Sequence, residues 1–280
     1  MSTIYKSEAG AHEIQEHYRE SLWSWPVPAE QLRIPTREGE TFVIASGPRD
    51  APPLVLLHGS GSNSNTWRGD IASWAQHFRT YAVDLVGEPG GSDPSRPVLK
   101  SEAVALWLSD VLAGLNLSST AMVGMSLGGW TALDYAIRRP EKVTRLVLLC
   151  PGGIGKQRFG WIFKAVLPRL LGRHDLRRQA ALVTGLTGPG LDPILDDIEL
   201  TFTHFKPRTE RLPLFTDAQL KSLPMPVEVI VGAADAMFDS AETARRARQS
   251  IPHATVHVLP DVGHAILDQT DTVLKFLLDS

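Results

Sequence analysis

The sequence has little of what marks several common classes of protein. It contains one cysteine, Cys150, which excludes an intrachain disulfide and is expected to be a buried packing residue. Its 28 basic side chains are nearly balanced by 31 acidic ones, and the formal net charge of −3 gives no electrostatic basis for binding nucleic acid or an anionic membrane. The cysteine and the nine histidines form no cluster with the spacing of zinc ligands. We therefore expect no metal, no cofactor and no nucleic-acid partner.

Long hydrophobic runs are also missing. No apolar segment reaches the length of a membrane span, and the charged residues from Lys6 onward lack the apolar stretch of a secretory signal. With 43% hydrophobic residues in 280 positions, the chain is nevertheless long enough to bury a large core. We expect a cytoplasmic protein without a membrane partner, working as a monomer or as a homodimer.

Short apolar runs alternate with segments of helical periodicity along most of the chain. The predicted strands are 32–36, 41–46, 54–57, 80–85, 121–124, 145–150, 227–231 and 255–259. The predicted helices are 9–25, 65–78, 101–115, 127–138, 241–249 and 265–278. Continuous apolar strands separated by helices predict an α/β fold, with a parallel sheet covered on both faces. The first two strands are joined by a tight turn and predict an antiparallel edge.

Residues 152–222 interrupt this alternation. They contain the predicted helical pieces 161–171 and 178–186 and are interrupted by Gly188-Pro189-Gly190 and by further prolines. A segment of this length between two strands is too long for a loop. It predicts a helical cap inserted into a core domain that is formed by residues 1–151 and 223–280.

The functional prediction depends on one motif, Gly124-Met125-Ser126-Leu127-Gly128. It joins a predicted strand to a predicted helix, and its glycines leave room for a turn too sharp for side chains. Such a turn strains the backbone of the serine and raises its hydroxyl above the sheet edge, at the positive end of the helix. The alternative is a glycine-rich turn that merely starts a helix, but the strand–turn–helix context favours a catalytic nucleophile.

A serine nucleophile needs a base, and the base needs an acid that orients it. Asp235 and His264 each follow directly after a predicted strand, in this order along the chain. Order and placement together predict a catalytic triad of Ser126, Asp235 and His264. Asp239, four residues further on, is the competing acid, but its place before the next helix favours a capping role, and Asp235 is preferred because it lies nearer the strand end.

The negative oxygen that forms when a serine attacks a carbonyl needs hydrogen-bond donors. The backbone N–H of Leu127, directly after the nucleophile, is one predicted donor. The other is the N–H of Ser60, in the loop His58-Gly59-Ser60-Gly61 that follows strand 54–57. His58 precedes the turn and is interpreted as a residue that braces this loop.

Three large side chains are candidates for contact with the substrate. Met125 and Trp130 flank the nucleophile, and Trp161 belongs to the apolar residues of the predicted cap. For Met125 and Trp130, packing of the helix that follows Ser126 is an equally good explanation. Most of the apolar cap residues are expected to pack the cap onto the core.

Together these motifs resemble the α/β-hydrolase superfamily over roughly residues 30–280. The motifs that carry the resemblance are His58-Gly59, Asp84 in a glycine-rich loop, the Ser126 motif, Asp235 and Gly263-His264. The resemblance implies a mostly parallel eight-stranded sheet with helices on both faces and a helical cap. The sequence is most similar to small bacterial carboxylesterases, but the loop 84–92 departs from the commoner Asp-x-x-Gly-x-Gly-x-Ser form by an inserted Glu88-Pro89.

The function that this resemblance implies is a serine hydrolase acting on a small-molecule carboxylic ester through an acyl-enzyme intermediate. Epoxide hydrolases and haloalkane dehalogenases resemble the fold but need an aspartate where this chain has Ser126. Carbon–carbon-bond hydrolases of vinylogous diketones and cofactor-free haloperoxidases or perhydrolases keep the serine triad and are the enzymatic alternatives. A ligand receptor on the same fold is the non-enzyme alternative, which sustained turnover would distinguish.

Overall fold

The computed structural model describes residues 4–158, 160 and 176–279, and one eight-stranded sheet organises them. The strands are β1 (Ala29–Thr36), β2 (Gly39–Ser46), β3 (Pro53–Leu57), β4 (Arg79–Val83), β5 (Thr120–Met125), β6 (Val143–Leu149), β7 (Val227–Gly232) and β8 (Ala254–Leu259). They lie in the order β1-β2-β4-β3-β5-β6-β7-β8. β2 is antiparallel to both β1 and β4, and the remaining pairs are parallel. The prediction of a mostly parallel sheet with an antiparallel edge is confirmed.

Helices connect the strands and cover both faces of the sheet. The helices are α1 (Glu8–Trp23), α2 (Ile71–Trp74), α3 (Ala103–Gly114), α4 (Leu127–Arg138), α5 (Leu176–Thr184), α6 (Asp192–His204), α7 (Asp217–Lys221), α8 (Ser240–Ser250) and α9 (Thr270–Leu278). α4 has the predicted bounds, and α3 and α8 agree with the predictions within two residues at each end. None of the helices that the structure describes is long and apolar enough to cross a membrane.

Two predicted helices are too long. In place of a helix over 65–78, the structure has a 3₁₀ turn at Ser64–Trp67 and the short α2, with Gly69 and Asp70 between them. Glycine has a low helix propensity, which explains the break at this point. The helix predicted over 265–278 begins only at Thr270, because Asp268 has a φ of 58°, which a right-handed helix does not accommodate.

β3, in the middle of the sheet, is apolar because both of its faces are buried. In β3, Val55 and Leu57 belong to the core cluster that includes α3 and α4, whereas Leu54 and Leu56 belong to the cluster that includes α2 and α9. All four side chains are fully buried. Successive side chains of a strand point to opposite faces, so both sets of β3 side chains are apolar. This rigid sheet positions the loops at its carboxyl edge.

The segment between β6 and β7 contains α5, α6 and α7, which interrupt the alternation as expected. α5 corresponds to the helix predicted over 178–186, while the helix predicted over 161–171 lies outside the described residues. α5 and α6 pack against each other, and α6 also contacts α1. The division into a core domain and a cap remains a prediction.

The amphipathic helix predicted over 9–25 is α1, and its apolar side packs against other parts of the chain. Ile14 and Tyr18 of α1 are buried, 3% and 4% exposed. The Tyr18 ring packs edge-on against Phe42 of β2. This side of α1 is therefore covered by the chain itself.

Candidate active site

The loops after β3 and β5 meet at the point where the order of strands reverses. β3 pairs with β4 on one side and with β5 on the other, both in parallel register. In open α/β sheets, ligands bind in the crevice outside the carboxyl ends of the strands at such a point. The two loops that were predicted to hold the oxyanion donors and the nucleophile are therefore neighbours.

The turn that carries Ser126 has the strained geometry that its motif predicts. Ser126 has φ 52° and ψ −108°, in the left-handed region that most side chains avoid. A β-carbon built on Gly124 would lie 2.5 Å from the carbonyl oxygen of Gly128, and one built on Gly128 would lie 2.0 Å from that of Leu57. Both positions therefore require glycine. The Ser126 N–H donates to the carbonyl of Leu149, which ties the turn to the end of β6.

The three residues of the predicted triad are brought together by the loops after β5, β7 and β8. His264 Nε2 lies 3.0 Å from Ser126 Oγ, and His264 Nδ1 lies 2.8 Å from Asp235 Oδ2. A carboxylate can only accept, so Nδ1 carries the proton and Nε2 is free to accept the serine proton. The side chains of Asp235 and His264 are 1% and 11% exposed, whereas Ser126 is half-buried. This arrangement can remove a proton from the serine hydroxyl.

Two backbone donors hold Asp235 in place. Its Oδ1 accepts hydrogen bonds from the N–H groups of Met237 at 2.6 Å and Phe238 at 3.0 Å, which leaves Oδ2 for the histidine. The Phe238 ring also packs against the His264 ring, with centroids 5.1 Å apart. The imidazole is thus fixed on one edge by a carboxylate and on one face by an aromatic ring.

Asp239, the competing acid, lies at the start of α8 and caps it. Its Oδ1 accepts from the N–H of Glu242 at 3.0 Å, and its Oδ2 lies 3.2 Å from the guanidinium of Arg158. The hydrogen bond from the backbone, followed by that from Arg158, lowers the pKa of this carboxyl. Asp239 therefore has the capping role that was the alternative to catalysis.

The loop of His264 packs closely against the end of α5. A β-carbon built on Gly263 would lie 2.6 Å from both Gly185 Cα and the carbonyl oxygen of Thr184. The same carbonyl accepts a hydrogen bond of 2.9 Å from the N–H of Ala265. The segment that follows β6 therefore contacts the histidine loop directly.

The loop of one predicted oxyanion donor passes close to Ser126, and the other predicted donor follows Ser126 directly. A β-carbon on Gly59 would lie 3.5 Å from Ser126 Cβ, so the loop after β3 passes close to the serine. Leu127 is the first residue of α4, and no side chain in the described part of the chain caps this helix. Its first N–H groups are therefore available to an anion. Ser60 is exposed at the same edge.

His58 braces the loop after β3, as interpreted from the sequence, and Asp84 joins the loops after β3 and β4. His58 Nε2 accepts from the N–H of Leu85 at 2.9 Å, so its protonated Nδ1 donates to the Gly59 carbonyl at 2.8 Å. Burial lowers the pKa of His58, which favours this neutral form. The carboxylate of Asp84 accepts from the N–H and hydroxyl of Ser64 and from the N–H of Gly91, between 2.6 and 2.8 Å.

Glu88 is a residue of this site that the sequence analysis missed. It was noted only as part of an insertion, but its carboxylate is fully buried against the loop after β3. Glu88 Oε2 accepts from the Gly61 N–H at 2.7 Å and from the Ser60 hydroxyl at 3.0 Å. Burial raises the pKa of Glu88 to about 7, against the opposing effect of the Gly61 hydrogen bond and of Arg208. A glutamate between two turn-forming residues is typical of an exposed loop, and no local sequence pattern predicts its burial.

The three residues predicted as candidates for contact with the substrate have different surroundings. Met125 is half-buried at the end of β5, next to Ser126. Trp130 is 1% exposed, donates its indole N–H to the carbonyl of Pro213 at 2.9 Å and stacks on Phe215. These contacts fit the alternative explanation for Trp130, in which its side chain packs the helix that follows Ser126. Trp161 lies outside the described residues.

No group of three or more His, Cys, Asp or Glu within the described ranges could hold a metal ion. Cys150 is buried beside the site and has no disulfide partner. Burial raises the pKa of its thiol well above the usual value, with the nearby charge of Asp235 adding to the effect. This thiol is therefore held in its neutral form.

The chain is similar to known proteins in sequence and in structure. A family model described as alpha/beta hydrolase family matches residues 54–276. Carboxylesterase YbfK of Bacillus subtilis is 33% identical over 270 residues, which cover 93% of this chain and 90% of that protein. The crystal structure of carboxylesterase CesB (YbfK) from Bacillus subtilis has a TM-score of 0.82 at 31% identity and covers 96% of this chain and 99% of that chain. The naproxen esterase (carboxylesterase NP) of Bacillus subtilis has a TM-score of 0.82 at 28% identity, covering 97% and 99%.

Proposed function

This chain belongs to the alpha/beta hydrolase family, and we propose that it is a carboxylesterase that cleaves a small-molecule ester through an acyl-enzyme on Ser126. The observation that carries this function is the continuous series of hydrogen bonds from Asp235 through His264 to the Ser126 hydroxyl, at 2.8 and 3.0 Å. The ester class is supported by the two Bacillus subtilis relatives named carboxylesterases.

Acylation begins when Ser126 Oγ attacks the ester carbonyl and His264 Nε2 takes its proton. Asp235 stabilises the positive charge that forms on the imidazole and keeps Nδ1 protonated throughout. When the tetrahedral intermediate collapses, the same Nε2 returns the proton to the leaving alkoxide, and the alcohol departs. The acyl group then remains on Ser126 as an ester.

Deacylation repeats these steps with water in place of the serine. His264 Nε2 takes a proton from a water molecule that attacks the acyl carbonyl, and returns it to Ser126 Oγ as the carboxylic acid leaves. In both steps the negative oxygen is held by the N–H groups of Leu127 and Ser60. Each such donor contributes about 10²- to 10³-fold in rate in serine hydrolases, since it acts where charge develops.

Residues 152–222 serve in this proposal as a cap that shapes the substrate site. Two contacts support the assignment. α5 packs on the histidine loop through Gly185 and Gly263, and the Phe202 ring of α6 lies 2.9 Å from a β-carbon built on Gly61. Phe202 is 38% exposed, so part of its ring is free to contact an apolar acyl or alcohol group.

The test is steady-state hydrolysis of p-nitrophenyl acetate, butyrate and octanoate by the wild type and by Ser126→Ala. We expect turnover that falls by several orders of magnitude in Ser126→Ala, because the remaining groups act only through binding and the oxyanion donors. Ser109→Ala is the matched control, since Ser109 lies within α3 and its hydroxyl donates to the Ala105 carbonyl. A fluorophosphonate should add its mass once to the wild type and not to Ser126→Ala.

Equal hydrolysis by the wild type and Ser126→Ala would contradict the esterase function. Cleavage of a vinylogous diketone at a rate well above that of every ester would assign the site to carbon–carbon-bond hydrolysis instead. Acylation without sustained release would point to a receptor.

A further inference from the structure

The carboxylate of Glu88 lies in a buried position between the predicted oxyanion loop and the segment that follows α6. Its side chain is fully buried, and the side chain of Arg208, from that segment, is 8% exposed. Two hydrogen bonds converge on Oε2, from the Gly61 N–H and the Ser60 hydroxyl. Oε1 faces the Arg208 guanidinium at 3.6 Å and has no hydrogen-bond partner among the described residues.

The surroundings of Glu88 are mostly cationic. Arg208 and Arg96 both favour its ionised form, while burial opposes it. Arg208 also pairs with the exposed Glu210 at 2.6 Å. The phenol of Tyr5 faces Glu88 and Asp84 from the N-terminal side, and burial, together with these two carboxyls, raises its pKa. Tyr5 is therefore neutral near pH 7, whereas the pKa of Glu88 is raised to about 7.

We propose that Glu88 is a positioning residue whose ionised carboxylate fixes Ser60 and Gly61 so that the Ser60 N–H faces the oxyanion. This rests on the proposed function, in which Ser60 is one of the two donors. It extends that function, because the rate of acyl transfer then depends on the charge of a residue that touches neither substrate nor triad.

The chemistry of the two oxygens explains why the charge matters. An ionised carboxylate accepts both hydrogen bonds through Oε2 and leaves Oε1 to the guanidinium. A proton on Oε1 would face Arg208, which has only donors. A proton on Oε2 would occupy the oxygen that accepts from the loop. Protonation therefore weakens the contacts that hold Ser60 and Gly61 in either case.

Glu88→Gln separates the charge from the shape of the side chain. Its amide oxygen can still accept from the loop, but the amide nitrogen faces Arg208 and the group cannot titrate. Charge-assisted hydrogen bonds are about twice as strong as neutral ones, so we expect kcat to fall about tenfold at about pH 8.5 with little change in KM. Glu210→Gln is the matched control, because it removes the other carboxylate of Arg208 without touching the loop.

The decisive readout is the pH dependence of the ratio between wild type and Glu88→Gln. As the pH falls to about 5.5, the wild-type Glu88 becomes protonated, and the tenfold ratio should shrink to about one. A purely structural role of Glu88 would leave the ratio constant. Glu210→Gln should match the wild type at every pH.

A second measurement does not depend on hydrolysis. The backbone amide proton of Gly61, followed by NMR, should shift with a midpoint near pH 7 in the wild type, and this transition should be absent in Glu88→Gln. The wild-type titration needs no variant, so it stands even if Glu88→Gln fails to fold. Should Ser126→Ala contradict the esterase, this transition would still report whether Glu88 holds the loop. A constant ratio of rates, or a Gly61 amide without the transition, would overturn the inference.

Discussion

Gly128 lies in the first turn of α4, next to the carboxyl end of β3. We expect Gly128→Ala to push the start of α4, which follows Ser126, away from the loop after β3. The new methyl group would lie 2.0 Å from the carbonyl oxygen of Leu57, 2.4 Å from its carbonyl carbon and 2.5 Å from the carbonyl oxygen of His58. All three atoms belong to the main chain, so no side chain can rotate away to make room.

The size of the effect follows from this geometry. Real β-carbons essentially never approach another heavy atom within 3.0 Å, so α4 and the end of β3 must move apart by about 1 Å. A displacement of this size between reacting groups costs about 10²-fold in rate, equivalent to about 2.7 kcal/mol of transition-state stabilisation. Overpacking also costs about 1–3 kcal/mol of folding free energy, which lowers the Tm by about 5 °C in a protein of this size.

The assay is kcat/KM for p-nitrophenyl butyrate together with a thermal melt, for Gly128→Ala and for Gly69→Ala. Gly69 is the matched control, because a β-carbon there meets nothing within 4 Å. We expect Gly69→Ala to retain wild-type activity and Tm. If Gly128→Ala did the same, the close approach of α4 to β3 would not set the geometry of the site, and this reasoning would be refuted.

Two further outcomes are expected. Asp235→Asn should lower kcat by several orders of magnitude because the wrong histidine tautomer is favoured. Asp239→Asn should keep the wild-type kcat and lose at most about 1 kcal/mol of stability, measured by urea unfolding. Glu228 is 2% exposed, and its burial raises its pKa to about 7, so the folded state binds its proton more tightly than the unfolded state. The contribution of Glu228 to the free energy of unfolding therefore falls as the pH rises towards 7. Relative to the wild type, Glu228→Gln should gain stability between about pH 5 and pH 8. If the Tm values of the wild type and Glu228→Gln changed in parallel over this pH range, the prediction for Glu228 would be contradicted.

Most of the triad geometry could be predicted because each residue has a local signal. Ser126 lies between two glycines at a strand–helix junction, and His264 follows a strand and a glycine. In a parallel sheet the carboxyl ends of the strands share one edge, so residues at these ends are brought together whatever the details of packing. The alternation of strands with helices along the chain had the same kind of local basis.

Predictions also failed or stayed open where the backbone conformation of a few neighbouring residues decides. The helix over 65–78 was too long, although its hydrophobic period is regular, since Gly69 and Asp70 break it. The choice between Asp235 and Asp239 needed the backbone donors of Met237 and Phe238, which orient one carboxylate towards the histidine.

The sequence by itself determined the α/β class, and it predicted Ser126 as the nucleophile and His264 as its base, because short motifs at strand ends depend on neighbouring residues alone. Only the tertiary structure decided the surroundings of Glu88, since its partner Gly61 lies 27 positions earlier in the chain, and Arg208 comes from beyond α6. Whether a carboxylate is buried, and what it holds, depends on which segments pack around it. No periodicity or spacing in one stretch of sequence contains that information.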